Sequence, residues 1–593
     1  MNRRAPIFLA AAALFASAVA LFSVGVTGGH ISMDDWGYIY GCPFVRGGIT
    51  AGNVRAAFTQ LGYDAFWMPL TFISYMADIT VLGGGWKVHH AVNAVLHGIN
   101  AVLVFAFLRM LVARVRGASA AGTSACLLAA FVWAVHPMRA EAVTYIAARK
   151  ELLWALFALW GLMHWVRRVD GGGFGHWLAA FACCVAACLS KPTAMCFPLL
   201  AYAVHQLVAR RLYVKVRGYL PFLAVAFFVG LVTLHAQANP IGAERLDLYG
   251  ETLSWRLLNA AVAFGMYIWH FVVPFGVHFD YRAVFGGRPV DLALGLSVLG
   301  AALAAAAAAI WRFRGASAAR AVLFACAWFA LAFAPVSGVF GVVNGDHAYA
   351  DRYSYMPFVA VSLLLALAAA RAIERGGMAR TLSFAAFAAA FSVEIPVTVG
   401  VVRSFHDDYT AFARVLAKDP GHWRALRVVG NEYCARLGRM DEGVAMLRRS
   451  LELRDSRRTA DSLAYVLAVR GAPGDFDEVR RLGAAVARRP SADAQGMMLE
   501  ALGIAAMREG RYADASRCFA ASLQAPARNY SNHHALLNLG LSLANSGERY
   551  EALKVLRRLK SVPEEGIRRR AAEAVQAMSS DGDAPEFEWR AVP

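Results

Sequence analysis

Charge is scarce in this chain. Only 17% of its 593 residues are Asp, Glu, Lys or Arg, against 58% hydrophobic, and the mean hydropathy is +0.45. That excludes a soluble globular protein and a disordered chain, both of which need more polar surface. Cysteine is also too sparse to form a framework. Of nine cysteines, Cys126, Cys183, Cys184, Cys188, Cys196 and Cys326 lie inside apolar segments, and no metal-type spacing occurs. A disulfide-stapled domain is therefore excluded. The formal charge is +18 and the pI about 9.7. Much of that excess sits in short clusters between apolar runs, where the positive-inside rule puts it, so no nucleic-acid partner is expected.

Long apolar runs are what the chain does have. They recur from residue 7 to about residue 402, and roughly 20 residues are needed to cross the ~30 Å of a bilayer core. From about residue 403 charged residues crowd in and the runs stop. The expected organisation is all-α: a polytopic membrane bundle over 1–402, a helical tail over 403–578, and a final stretch, 579–593, without structure. Arg3 and Arg4 precede the first run, which reads as a retained span starting in the cytoplasm. Basic clusters at 114–116, 167–168, 210–217, 312–320 and 371–380 then alternate with spans that return outside. Segment 256–274 breaks the alternation. With Arg256, Asn259, His270 and Pro274, it reads as a re-entrant or interfacial helix. The count is about eleven spans in the cytoplasmic (inner) membrane, with the tail periplasmic.

The tail repeats. Gly438, Gly471, Gly510 and Gly547 recur at intervals in the thirties, each between two amphipathic stretches. Residues 501–526 are the clearest copy. Leu502 and Gly503 allow close helix approach, Gly510 turns the chain, and Tyr512, Ala515 and Phe519 knit the second helix to the first. Residues 538–563 repeat that copy, 423–455 form a looser one, and 460–490 a degenerate one. Such an array serves either as a spacer or as a docking surface for a partner polypeptide.

Ionisable groups at membrane depth cost at least ~2.5–3.5 kcal/mol each, so their presence needs a reason. Asp34 and Asp35 follow the first span. They could deprotonate a hydroxyl, hold a divalent cation such as magnesium or manganese, or merely cap a helix. His90, Asn93 and His97 share one helix face, either lining an interior or making polar contacts between helices. His136, Arg139, Glu141, Arg149, Lys150 and Glu151 crowd the ends of two spans, either to meet a lipid phosphate or as salt-bridged packing. Lys191 stands before Pro192. Asp346, His347, Asp351 and Arg352 form another polar group, in which Arg352 can bind a phosphate as a planar fork.

Taken in order, these motifs resemble a family. They are the acidic pair, "W-x-P-L" at 67–70, "H-x-x-N-x-x-x-H" at 90–97, "HP-x-x-x-E-A-V" at 136–143, "R-x-E-L-L" at 149–153, "SK" at 190–191, "D-R-Y-x-Y-x-P" at 351–357 and the repeats. Over nearly its whole length the chain is similar to the transmembrane-and-TPR-containing O-mannosyltransferases and their bacterial relatives. The resemblance implies a GT-C glycosyltransferase bundle followed by a tetratricopeptide solenoid. It also implies a polyprenyl-phosphate monosaccharide donor and an extracytoplasmic protein or glycan acceptor. Asp34 and Asp35 would be the catalytic pair, and Arg149, Lys191 and Arg352 would hold the donor phosphate. Two departures stand out: Met68 occupies a position where many relatives have arginine, and Asn431 stands where the first repeat's glycine is expected. A membrane-anchored scaffold and a lipid-linked sugar flippase are the alternative functions. The flippase should show paired repeats or broken helices, and no such internal symmetry is visible.

Overall fold

The computed structural model describes residues 5–61, 63, 66–209, 216–238, 252–282, 289–314, 317–339, 349–487, 495–525, 533–562, 564–579 and 586–587. These residues are organised as helices and short connecting turns. The chain divides into two compact units, Met1–Arg414 and Val415–Pro593. Residues 403–414 therefore go with the apolar unit, beyond the boundary expected near 402. The reason is hydrogen bonding: the Gly29 N–H donates to the His406 carbonyl at 2.8 Å, and the Ser32 N–H donates to the Asp408 carboxylate at 2.9 Å.

Among the described residues, seven helices of the first unit are long and apolar enough to cross a bilayer: Ala5–Ser23, Trp86–Arg116, Pro192–Ala209, Arg217–Ala238, Pro289–Arg312, Ser317–Val336 and Gly377–Ser404. Pro69–Leu82, Ala120–Val135 and Phe174–Ser190 are shorter apolar helices. Segment 256–274, read as a re-entrant or interfacial helix, is not among these seven. Leu253–Val272 is one continuous helix that ends just before Pro274, and the side chains of Asn259 and His270 are buried inside the unit. A ring that lacks a backbone N–H ends a helix at that place without breaking it in the middle.

Between apolar helices the hydrophobic effect does not discriminate, so close backbone approach and interhelical hydrogen bonds decide the packing. A Cβ on Gly265 would lie 1.8 Å from the Gly295 carbonyl oxygen, so Leu253–Val272 and Pro289–Arg312 cross on two bare backbones. Gly98 does the same for Trp86–Arg116, admitting Phe15 and Val19 of the first helix. Thr398 donates to the Val135 carbonyl at 2.6 Å and Asn100 to the Leu152 carbonyl at 2.9 Å, tying neighbouring helices by polar bonds.

The second unit is a succession of helix pairs: Trp423–Ala435 with Met440–Leu453, Arg457–Arg470 with Asp475–Ala487, Gln495–Arg508 with Tyr512–Gln524, and His533–Asn545 with Arg549–Arg557. Glu565–Ser579 follows them. The turn of each pair contains a glycine at positive φ, namely Gly438, Gly471, Gly510 and Gly547, a backbone region that other residues enter only with strain. Inside the pairs a missing side chain admits a large one, as at Gly503 beneath Phe519 and Gly540 beneath Leu556. In the first pair Gly430 makes the close approach, to the Gly443 carbonyl. The neighbouring Asn431 is left free to donate to Ser462 of the next pair at 3.2 Å. Glu586 and Phe587, in a stretch expected to be without structure, lie against these helices.

Gly265→Val is expected to destabilise the apolar unit at the upper end of the ~1–3 kcal/mol range for overpacking, because the obstructing atom is backbone. Gly300→Val, on the same Pro289–Arg312 helix but facing open space, is the control. Equal thermal midpoints for the two variants in detergent would show that the glycine crossing is not what holds these helices together.

Candidate functional site

The two carboxylates of the acidic pair have different positions. Asp35 is buried, and each of its oxygens accepts a backbone N–H: Ile31 at 2.9 Å and Ala147 at 2.7 Å. It therefore ties the loop after the first helix to the Ile146–Ala148 turn. Burial pushes the Asp35 carboxyl up to about 8, and the two N–H donors oppose that rise. Asp34 is half-buried and begins the Asp35–Tyr38 helix without capping it, and its carboxylate has no hydrogen-bond or ion-pair partner among the described residues. Its charge acts on Lys150, Arg352 and Tyr145.

Two cations, Lys150 and Arg352, feel its charge, and Lys191 lies close to both of them. The chain after Ala147 enters Arg149–Val169 directly, so the tie made by Asp35 places Lys150 beside the first loop. The Lys150 ammonium donates to the Tyr38 hydroxyl at 2.9 Å and lies over the rings of Tyr38 and Phe66, at 4.6 and 4.9 Å from their centroids. Among the described residues no carboxylate lies within ion-pair distance of it. Lys191 is paired with Glu151, and Arg352 with Glu141, whose other oxygen accepts the Arg352 backbone N–H at 2.9 Å. Tyr353 spans the two pairs: Lys191 lies 4.9 Å and Arg352 4.7 Å from its ring. Arg352 and Lys191 repel the Lys150 charge, whereas Asp34 and, more weakly, Glu151 favour it. Tyr145 presents a buried hydroxyl with no hydrogen-bond partner among the described residues.

Arg149 is not in this group. It is fully buried and turned the other way, paired with Asp78 at 2.6 Å, donating to Asn93 Oδ1 at 2.7 Å and the His89 carbonyl at 3.0 Å, and lying over the Tyr75 ring. Its donors are committed inside the protein, which corrects its assignment to the donor phosphate. Adjacent positions at a helix start point about 100° apart, so Arg149 and Lys150 cannot face the same ligand.

The shared face of His90, Asn93 and His97 is used for contacts between helices. His90 bonds the Gly29 carbonyl at 2.9 Å, and Asn93 donates to the Val143 carbonyl at 3.1 Å. His97 joins the Tyr355 hydroxyl at 2.7 Å and the Ala134 carbonyl at 2.9 Å. His136 likewise accepts from the Met138 N–H, bonds the Phe271 carbonyl, and stacks on the Phe271 ring. Arg139 donates to Ser354 at 2.6 Å inside a cage of Trp133, Tyr355 and Phe358. Asp351 accepts from the Tyr281 hydroxyl at 2.8 Å, with His270 3.9 Å away. Asp351 and Arg352 are neighbours that serve opposite sides of one short turn. Asp346 and His347 lie outside the described residues.

Each Asp35 oxygen accepts one backbone N–H, and the Asp34 side chain has no partner among the described residues. Among the described residues no group of three or more His, Cys, Asp or Glu is placed to hold a metal ion. Asp78 and His89, bonded to each other at 2.6 Å, escaped the sequence reading. Asp78 was the available signal, as a carboxylate in the otherwise apolar Pro69–Leu82 helix. Neither a protein-family model nor a curated protein matches the chain.

Asp35→Asn puts an NH₂ group against one of two backbone donors and should lower stability by about 1–3 kcal/mol, whereas Asp34→Asn should leave the thermal midpoint unchanged. A carboxyl held protonated in the folded chain up to about 8 makes stability fall as pH rises from the ordinary carboxylate range towards that value. Asp35→Asn should remove that slope and Asp34→Asn retain it. Midpoints that respond alike to both substitutions would end this division of roles.

Proposed function

We propose that this protein is an integral-membrane glycosyltransferase. It moves a monosaccharide from a polyprenyl-phosphate donor to a hydroxyl of an extracytoplasmic acceptor, a protein Ser or Thr or a glycan. The observation that carries this reading is the uncommitted Asp34 carboxylate acting on Lys150 and Arg352, one of them a cation without a carboxylate partner. An unmatched buried cation beside a half-exposed carboxylate suits an anionic leaving group next to a hydroxyl that must lose its proton.

In this mechanism Lys150 receives the donor phosphate, with the Arg352 fork and Lys191 adding field from their carboxylate-bound positions. The acceptor oxygen attacks the anomeric carbon from the face opposite the phosphate. The carbon–oxygen bond to the phosphate breaks, polyprenyl phosphate leaves with the electron pair, and Asp34 takes the hydroxyl proton. Configuration is inverted. Field stabilisation of the departing phosphate is the larger contribution, and general-base help is typically worth 10²–10⁴-fold. Asp35 is a positioning residue: it holds the loop that carries Asp34.

The same proposal makes the apolar unit a GT-C-type bundle of about eleven spans in the cytoplasmic membrane, begun from the cytoplasmic side. The unit from Val415 onwards is then a tetratricopeptide-type solenoid in the periplasm that helps dock the acceptor. The successive helix pairs with glycine turns support that part of the reading.

With purified protein in detergent and a radiolabelled polyprenyl-phosphate sugar, Asp34→Asn should reduce transfer by roughly 10²–10⁴-fold at an unchanged melting midpoint. Lys150→Met should raise the donor KM. Wild-type transfer by both variants would leave the anchored scaffold as the better reading. Donor translocation in liposomes without product would favour the flippase.

A further inference from the structure

The second unit contains a contact that the catalytic reading does not use. Asn545 ends the His533–Asn545 helix, and its side-chain amide holds the backbone of Phe587 by both edges. The Asn545 Nδ2–H donates to the Phe587 carbonyl at 2.9 Å, and Oδ1 accepts the Phe587 N–H at 2.8 Å. A neighbouring residue in an antiparallel strand makes the same two-way exchange. It reads an extended backbone and is indifferent to the side chain. Side chains are read beside it: the Phe587 ring packs against the apolar core of the helix pairs, and the Tyr512 hydroxyl donates to the Glu586 carboxylate. Asn545 and Tyr512 belong to successive helix pairs, so the contact bridges two repeats.

Charge favours the same occupant. Residues 415–579 hold 27 lysines and arginines against 19 aspartates and glutamates, whereas residues 580–593 hold Asp581, Asp583, Glu586 and Glu588 against Arg590 alone. Glu586, the described acidic residue of that stretch, thus lies on a basic helical array.

We propose that Asn545 and Tyr512 form a docking site for an extended polypeptide segment in which an acidic residue directly precedes an aromatic one, and that the chain's own Glu586–Phe587 occupies this site until such a partner displaces it. Asn545 supplies affinity through the main chain, the apolar seat of Phe587 selects an aromatic side chain, and Tyr512 selects the carboxylate. Main-chain clamping with flanking side-chain pockets is a general way to bind an extended peptide. The site lies within one unit and does not depend on the glycosyltransferase reading.

The test uses the full membrane protein in detergent, with a stop codon after Ser579, and a fluorescent peptide spanning residues 583–589. Saturable binding at one site is expected. It should weaken roughly tenfold or more with Asn545→Ala, which removes both amide bonds, and to a similar extent when alanine replaces the phenylalanine in the peptide. The intact chain should bind the peptide more weakly than the shortened chain, because its own tail competes. A Phe587→Ala variant of the unshortened chain should recover binding in case the shortened chain folds poorly. Equal binding to the Asn545→Ala variant, equal binding of a scrambled peptide, or no binding by either tail-altered chain would overturn the proposal.

Discussion

The carboxylate of Asp35 accepting the N–H of Ala147 is the contact on which the candidate site depends. Ala147 stands two residues before Arg149–Val169 begins, so this one bond sets the first loop against the start of that helix. Asp34 and Lys150 come together as a consequence of it. The second bond, from Ile31, closes the loop on itself. The pair is thus one anchoring carboxylate and one carboxylate kept free of partners.

Around that anchor, burial sorts the charges. In a low-dielectric interior an unpaired ion is costly, and a pair is tolerated only with good geometry and further hydrogen bonds. Arg352 with Glu141, Lys191 with Glu151, and Arg149 with Asp78 all meet that demand. Lys150 does not. Its compensation is a hydroxyl and two aromatic faces, which are weaker partners than a carboxylate. Arg139 is also buried without a carboxylate, but Trp133, Tyr355 and Phe358 enclose it. Lys150 instead stands beside the partner-free Asp34 carboxylate, and that is why the functional reading centres on Lys150 and Asp34 and not on the arginines.

The second unit follows other rules. Its helices carry charge on their outer faces, and ion pairs such as Arg448 with Glu478 and Arg480 with Glu509 join successive pairs at separations of 30 and 29 residues. Exposed pairs of this sort add little stability. The packing of Gly503 against Phe519 and of Gly540 against Leu556 fixes the spacing instead. The final segment repeats the theme: Phe587 finds an apolar seat, and Asn545 satisfies the backbone that comes with it.

Periodicity and composition alone were enough to determine helices throughout, an apolar part ahead of a charged part, and glycine turns at a regular interval. Each of these depends on local spacing or on solvent preference, which are properties of short stretches. The glycine predicted at position 431 was displaced by one residue because close approach depends on how two helices meet. The same limit applied to the polar residues. Sequence could say that Asp34, Asp35, Arg149, Lys150, Lys191 and Arg352 were too costly at membrane depth to be accidental. It could not say which would find a counter-charge, because their partners Ala147, Asp78, Tyr38, Glu151 and Glu141 are mostly distant along the chain. Tertiary structure assigned Arg149 to Asp78 and left Lys150 without a carboxylate, since a turn of about 100° between adjacent helical residues sends neighbours in sequence to different surroundings.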